Sequence, residues 1–269
     1  MIDCNPAMTA KQFGTHFQRI ECWKDTKMRV SNEGLQSPPS VKTKYVPNVL
    51  PQTEHKTVVK VDDMDSLDCG LLYQSQGFNP VVLNLADNQL PGGYVELGSG
   101  AQEESLFRRT SLHNTLQLKM YPIEDDEGIY SPDVHVIKAS EAHGWANYSD
   151  EHIISFISVP GIKCPPCLYD KTTQQPRLTQ KDERRLETKV RNILQIAAVN
   201  GHDCVVLGAL GCGAWKCPPD HVASIFSRVL AEYHCTFKLV VFAIMQYAGD
   251  THRAVGVTNF HTFQDVFQN

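Results

Sequence analysis

Apolar residues along this chain fall into short blocks of two kinds, and the kinds alternate. Some blocks are continuous and β-branched: Thr57 to Val61, Pro80 to Ala86, Val134 to Lys138, Ile153 to Val159, Cys204 to Ala209 and Lys238 to Ile244. Runs of this length and composition read as buried strands. Others repeat every three or four positions. Leu186, Val190, Ile193, Leu194 and Ala197 share one face of a helix over Lys181 to Asn200, and Gly201 stops it. Val222, Ile225, Phe226 and Val229 do the same over Pro218 to Tyr233. Further helices are expected over Asp63 to Gln76, Gln102 to Leu118 and Thr258 to Phe267, and a weaker one over Ala10 to Lys27, with Phe13, Phe17, Ile20 and Trp23 at helical spacing. Gly34 to Lys56 is rich in Pro, Ser, Lys and Thr and reads as an extended linker, and Cys164 to Gln180, with three prolines, reads as a loop. Strands alternating with helices predict an α/β fold, one sheet with helices on both faces. Residues 1–56 are expected to form a helical extension and linker, and 57–269 the main domain.

The chemistry is concentrated between Leu83 and Arg109. The strand ending at Ala86 runs into a turn-rich segment holding Pro91, Gly92, Gly93, Gly98 and Gly100, and a helix follows that opens Gln102-Glu103-Glu104. Strand, glycine loop and helix together aim backbone N–H groups at a phosphate. A P-loop would place Lys and Ser or Thr at the helix head, whereas here there are two carboxylates. Glu also favours a first helical turn because it complements the helix dipole. Two carboxylates beside a glycine loop after a buried strand point further, to acid/base work on something attached to a nucleotide. A second glycine loop, Gly211-Cys212-Gly213-Ala214-Trp215, follows the strand at Cys204 to Ala209. Hypothetically, both loops clamp a diphosphate through backbone N–H groups, although a tight strand-to-helix turn would also account for Gly211 and Gly213.

The first segment resembles the signature of the microbial-type poly(ADP-ribose) glycohydrolases, a branch of the macrodomain superfamily. That pattern is an Asn-bearing strand end, Asn-Pro-Gly-Gly-Gly, a spacer and Gln-Glu-Glu. Asn84, then Pro91-Gly92-Gly93, then Gln102-Glu103-Glu104 match it. Leu90 stands where the pattern has Asn, and Tyr94 where it has the third Gly. Tyr121-Pro122, Gly128 to Pro132, Val205 to Trp215 and Phe237 to Ile244 resemble later parts of the same family, so the resemblance runs from about Thr57 to Ile244. It implies a macrodomain-like three-layer fold and ADP-ribose as ligand, with no cofactor and no metal. It also implies roles. Glu104 carries the proton in glycosidic cleavage, and Glu103 holds the ribose hydroxyls. The binding residues are Asn84, Asn88, Gly92, Gly93, Tyr94, Gln102, Gly211, Cys212, Gly213, Ala214 and Trp215. Asn84 and Asn88 could equally form local Asx turns, and Trp215 could be a core residue.

Composition narrows the partners. A net charge of −5 over 269 residues gives no electrostatic case for nucleic acid. No basic stretch followed by an apolar one is read at the start, and no apolar run reaches the ~20 residues of a membrane helix. Nine cysteines in no dense even pattern suggest reduced thiols, hence a cytoplasmic or nuclear setting, and a monomer is expected. Cys164-Pro-Pro-Cys167 has zinc-ligand spacing but no convincing second pair, so it reads as a stiffened loop with free thiols.

Three functions follow. One is a hydrolase removing single ADP-ribose units from proteins, including arginine-linked ones. A second is a poly(ADP-ribose) glycohydrolase acting at chain ends. The third is a reader that binds ADP-ribose without cleaving it. The intact acidic pair argues against the reader. Tyr94 puts a phenol beside the reacting ribose and argues against polymer. Asp126 and Asp133, in the acidic stretch Glu124 to Asp133, are candidate contacts for a guanidinium leaving group, the other reading being a solvated acidic loop.

Overall fold

The computed structural model describes residues 10–47, 56–246 and 258–268, with side chains from Gly14 onward. In chain order its elements are α1 (Ala10–Asn32), β1 (Val41–Lys44), β2 (Val58–Asp62), α2 (Ser66–Ser75), β3 (Pro80–Leu85), α3 (Gln102–Arg109), α4 (Leu112–Thr115), β4 (Glu127–Lys138), β5 (Asn147–Val159), β6 (Cys167–Asp170), β7 (Gln175–Leu178), α5 (Gln180–Val199), β8 (Cys204–Leu207), α6 (Pro219–Leu230), β9 (Leu239–Ala243) and α7 (Asn259–Phe267).

Seven strands form one mixed sheet in the order β1-β4-β5-β3-β8-β9-β2. The block β5-β3-β8-β9-β2 is parallel, while β4 and β1 run antiparallel at one side. The central strands are buried on both faces because successive side chains serve different cores. Val81, Leu83, Val205, Leu207, Val240 and Phe242 pack with α5, α6 and α7. Val82, Val206 and Val241 pack on the opposite face, with Leu67 of α2 and Leu106 and Phe107 of α3. The expected three-layer, macrodomain-like architecture is therefore present.

Several expected elements take a different form. The helix anticipated over Gln102 to Leu118 stops at Thr110, which is extended and bridges to Val136. Its hydroxyl donates to Leu106 O (2.8 Å) and accepts from Leu112 N (3.2 Å), replacing ladder bonds with local ones. The proline-rich stretch after Cys164 contains a two-stranded hairpin, β6 and β7. The segment read as a linker contributes β1, which pairs with β4. Helix α1 lies along α3, burying Cys22, Trp23, Thr26 and Val30, while Phe17 points to solvent. The side chain of Phe13 lies outside the described residues. Arg29 of α1 donates to the carbonyls of Ile137 and Tyr148, so the helix is bonded directly to the β4–β5 hairpin.

Candidate active site

In a parallel sheet, ligands gather at the carboxyl ends of the strands. Here those ends line a cavity of about 740 Å³. Its floor comes from Leu85 and Ala86 after β3, Gly161 after β5, Gly208 and Ala209 after β8, and Ala243 and Ile244 at the end of β9. The walls include Asp65 and Ser66 at the head of α2, Gln102 and Ser105 in α3, and the loop bearing Gly211, Gly213, Ala214 and Trp215.

The first glycine loop is held from inside by the two glutamates. Glu103 is buried, and its Oε1 accepts from Gly92 N (3.1 Å) and Asn84 Nδ2 (3.3 Å) while Oε2 accepts from Asp87 N (2.7 Å). Glu104 is also buried, and its Oε1 accepts from Tyr94 N (3.1 Å). Among the described residues, no donor reaches its second oxygen. Gly92 and Gly93 both have positive φ, 77° and 50°. A Cβ on Gly93 would stand 2.9 Å from Glu104 Oε1 and 3.3 Å from Glu103 Oε2. The glycines are thus required by the carboxylates themselves. Burial pushes the Glu103 carboxyl up to about 8; the N–H groups of Asp87 and Gly92 pull it down, and the neighbouring Glu104 adds to the rise.

This arrangement revises two expectations. The N–H groups of Gly92, Gly93 and Tyr94 are already committed, to Glu103, Leu90 O (3.2 Å) and Glu104. They cannot also bind a diphosphate, so the two-loop clamp is not what the fold builds. Asn84 is fully buried, its amide donating to Glu103 and Ser158 Oγ (3.0 Å), so it orients a carboxylate instead of meeting a ribose. Gln102 has a tethering task. Its Oε1 accepts from Leu85 N (2.8 Å), and its Nε2 donates to Leu83 O (2.7 Å) and Ser66 Oγ (2.9 Å), locking the head of α3 to the end of β3. The backbone carbonyl of Asn88 accepts from Ile123 N (3.0 Å), and Asn88 does not line the cavity.

The second loop is the reverse. Among the described residues, the N–H groups of Gly211, Gly213, Ala214 and Trp215 donate to no acceptor. Uncommitted backbone donors on a cavity wall are an arrangement suited to an anion. Gly211 has φ 77°, and a Cβ there would meet Cys217 Sγ at 2.8 Å, whereas a Cβ on Gly213 would meet nothing. Glycine is therefore demanded by the fold at Gly211, while Gly213 leaves space facing the cavity. Cys212 is fully buried beneath the loop and offers no side chain to a ligand. Trp215 is half-buried on the wall, its ring edge against Gly161.

The acidic stretch does not reach this site. Asp133 is exposed at a bulge in β4, its N–H donating to Ser155 Oγ (3.3 Å), opposite the beginning of β3 and away from the strand ends. Asp126 lies 3.7 Å from Lys44. Asp125 pairs with Arg185 (2.6 Å) and Lys189 (3.1 Å), and Glu127 with Lys42 (2.6 Å). Asp125, Asp126 and Glu127 thus sit beside the protein's own cations, and neither Asp126 nor Asp133 lines the cavity.

Two residues that the sequence did not single out complete the site. Asp87 Oδ1 accepts from Gln89 N (2.7 Å) and Leu90 N (3.1 Å), an Asx turn that shapes the glycine loop while its own N–H holds Glu103. Asp two and three residues before those donors was the available signal. Arg19, on α1, lines the cavity and is held by Glu141 through two bonds of 2.9 and 3.0 Å. A Cβ on Gly100 would collide with its guanidinium. No local pattern links positions so far apart.

Residues 17–139 match the family model described as the microbial-type PARG catalytic domain. That span includes α1 from Phe17 onward, the first glycine loop and the acidic pair. No curated protein matches the chain. Among solved structures, the chain is similar to poly(ADP-ribose) glycohydrolase from Thermomonospora curvata, with TM-score 0.73 and 22% identity over 93% of this chain and 100% of that one. The same enzyme bound to the inhibitor ADP-HPD gives 0.72 at 21% identity, covering 93% and 100%. Poly(ADP-ribose) glycohydrolase from Deinococcus radiodurans in complex with ADP-ribose gives 0.66 at 21% identity, covering 94% and 92%. The fold is the macrodomain-like fold of these proteins, and most of α1 is inside the matched family region.

Proposed function

We propose that this PARG-type glycohydrolase removes single ADP-ribose units from modified proteins by hydrolysing the bond at the anomeric carbon of the distal ribose. The observation that carries the reading is the division of labour in the acidic pair. Glu103 is occupied by three donors and Glu104 keeps one oxygen uncommitted, on the helix whose Gln102 and Ser105 line the same cavity as the loop of acceptor-free N–H groups. In this reading the diphosphate sits on the N–H groups of Gly211 to Trp215, and the distal ribose lies against Gly92 to Tyr94. Glu104 protonates the departing atom as the ribose gains oxocarbenium character, and the resulting carboxylate takes a proton from the attacking water. Glu103 fixes the loop under the sugar and acts as a positioning residue.

Preference for one unit over polymer rests on Tyr94. It is 55% exposed directly after Gly93, and its backbone N–H is bonded to Glu104, so the residue is anchored one bond from the acid with its side chain in solvent. The matched family favours a second reading, cleavage at polymer ends. The acidic stretch gives no support for an arginine linkage, because neither Asp126 nor Asp133 lines the cavity. The test is one preparation of the protein incubated with polymer and with Arg-, Glu- and Ser-linked substrates, with the released product identified. Release of ADP-ribose from protein faster than from polymer supports the proposal. Efficient polymer degradation with intact protein-linked units replaces it with the second reading.

A further inference from the structure

The phosphate-facing loop is braced from outside by a segment that the proposed chemistry does not use, Gly161-Ile-Lys-Cys164-Pro-Pro-Cys167. The two backbones touch. A Cβ on Gly161 would lie 2.8 Å from the Cα of Gly211. Cys217 Sγ donates to Ile162 O (3.1 Å), and Cys164 N donates to Trp215 O (2.8 Å). Cys164 adopts φ 46°, an uncommon conformation for a residue with a Cβ. Both Cys164 and Cys167 are exposed, whereas Cys22, Cys69, Cys204, Cys212 and Cys217 are buried. Two prolines between the exposed pair stiffen the turn joining them. Burial pushes the Cys217 thiol up to about 11, which keeps it protonated and out of exchange chemistry at neutral pH.

We propose that Cys164 and Cys167 form a thiol-modification site: a small disulfide such as oxidised glutathione converts the pair to an intramolecular disulfide, which pulls Cys164 N–H from Trp215 O and loosens the ADP-ribose cradle. The effect on ADP-ribose rests on the functional reading above, while disulfide formation does not. The Cys164 thiolate attacks one sulfur of oxidised glutathione, forming a mixed disulfide and releasing one glutathione thiolate. The Cys167 thiolate then attacks the Cys164 sulfur, closing the ring and releasing the second. Two protons leave the protein thiols, and two electrons pass to the glutathione disulfide. Ring closure must bring the two Cβ atoms to about 3.5–4.5 Å, and Cys164, already in a left-handed conformation, is where the backbone gives. Partial burial and Asp182 push the Cys167 thiol up, so closure accelerates as pH rises.

The test treats the full chain with reduced or oxidised glutathione and reads three things: peptide masses, hydrogen exchange across residues 211–217, and calorimetric binding of ADP-ribose. Expected are loss of two hydrogens in the peptide holding both cysteines, faster exchange at 211–217, and ADP-ribose binding weakened at least about tenfold. All three should reverse with reductant and be absent in Cys164→Ser. Mixed disulfides without ring closure, a closed ring with unchanged exchange, or a closed ring with unchanged affinity in a protein that binds when reduced would each overturn the proposal. Failure of the reduced protein to bind ADP-ribose breaks the functional reading instead. The mass and exchange measurements still decide the thiol site.

Discussion

The two glycine loops look alike in sequence and are opposites in structure. At Gly92 to Tyr94 every backbone N–H is spent, mostly on the glutamates of α3. At Gly211, Gly213, Ala214 and Trp215, which line the cavity, the N–H groups meet no acceptor among the described residues. The difference teaches what each glycine is for. In the first loop glycine lets carboxylates approach the backbone, so the loop is built before any ligand arrives. In the second, Gly211 makes room for Cys217, and Gly213 leaves open space at the cavity wall. Under the proposed function, the first loop preorganises the reacting groups and the second meets the ligand's charge.

The sharpest way to break this comparison is at Glu104. Glu104→Gln keeps shape and the bond from Tyr94 N but has no acidic proton. It should lose at least about a hundredfold in turnover while binding ADP-ribose nearly as well, measured by single-turnover hydrolysis beside calorimetry. Turnover close to wild type would move the acid role to Glu103 and end the division of labour.

The glycines should separate in the same experiments. Gly93→Ala drives a methyl against both glutamates and should lower turnover about tenfold or more with little change in affinity. Gly211→Ala collides with Cys217 and should weaken ADP-ribose about tenfold, ~1.4 kcal/mol, with turnover at saturation less affected. Gly213→Ala meets no atom of the protein, so any loss there reports ligand contact alone. A common effect of all three on both parameters would make the two loops one functional unit.

Much of this was legible in the chain. Continuous apolar runs located the central strands, and three-to-four spacing located α5 and α6, because burial on known faces leaves those periods in sequence. Polar or proline-bearing strands were missed. β1 reads Val-Lys-Thr-Lys at a sheet edge, and β7 contains Pro176. The acidic pair was visible as a motif, but the uncommitted oxygen was not. That depends on donors from Asn84, Asp87, Gly92 and Tyr94 converging in space. The acidic stretch misled for the same reason, since its cations at Lys42, Lys44, Arg185 and Lys189 come from two distant segments.

Stability against pH tests how tightly the first loop is built. The Glu103 carboxyl, raised to about 8 by burial, stays protonated in the folded chain while the unfolded chain ionises near 4.5. The unfolded state therefore binds fewer protons between those values, and stability falls as pH rises through that window and levels off above it. Glu103→Gln should remove this contribution, so its melting temperature should fall less than wild type from pH 5 to pH 8. Each ~1 kcal/mol moves the midpoint by about 2–4 °C for a domain of this size. Parallel curves for the two proteins would mean that Glu103 is ionised in the fold, held by its three donors.

Substrate choice is a smaller effect. Tyr94→Gly removes the exposed ring of the residue whose N–H holds Glu104 and restores the glycine of the family pattern. Polymer cleavage should rise a few-fold relative to protein-linked cleavage when both are measured on one preparation. An unchanged ratio would leave the ring without a role in selecting the leaving group.

The smallest expected effect belongs to the acidic stretch. Asp133 sits at a bulge in the middle of β4, beside Ser155 opposite the beginning of β3, and Asp126 faces Lys44 on the edge strand. Neither lines the cavity, and both are near or in solvent, where a single charge changes energies by about 0–1 kcal/mol. Asp126→Asn with Asp133→Asn should leave rates on arginine-, glutamate- and serine-linked substrates within about twofold of wild type, and the order of preference unchanged. A loss confined to the arginine-linked substrate would require these carboxylates to reach the leaving group, against their positions in the sheet. It would mean that the cleft rearranges around β1 and β4 when protein-linked substrate binds.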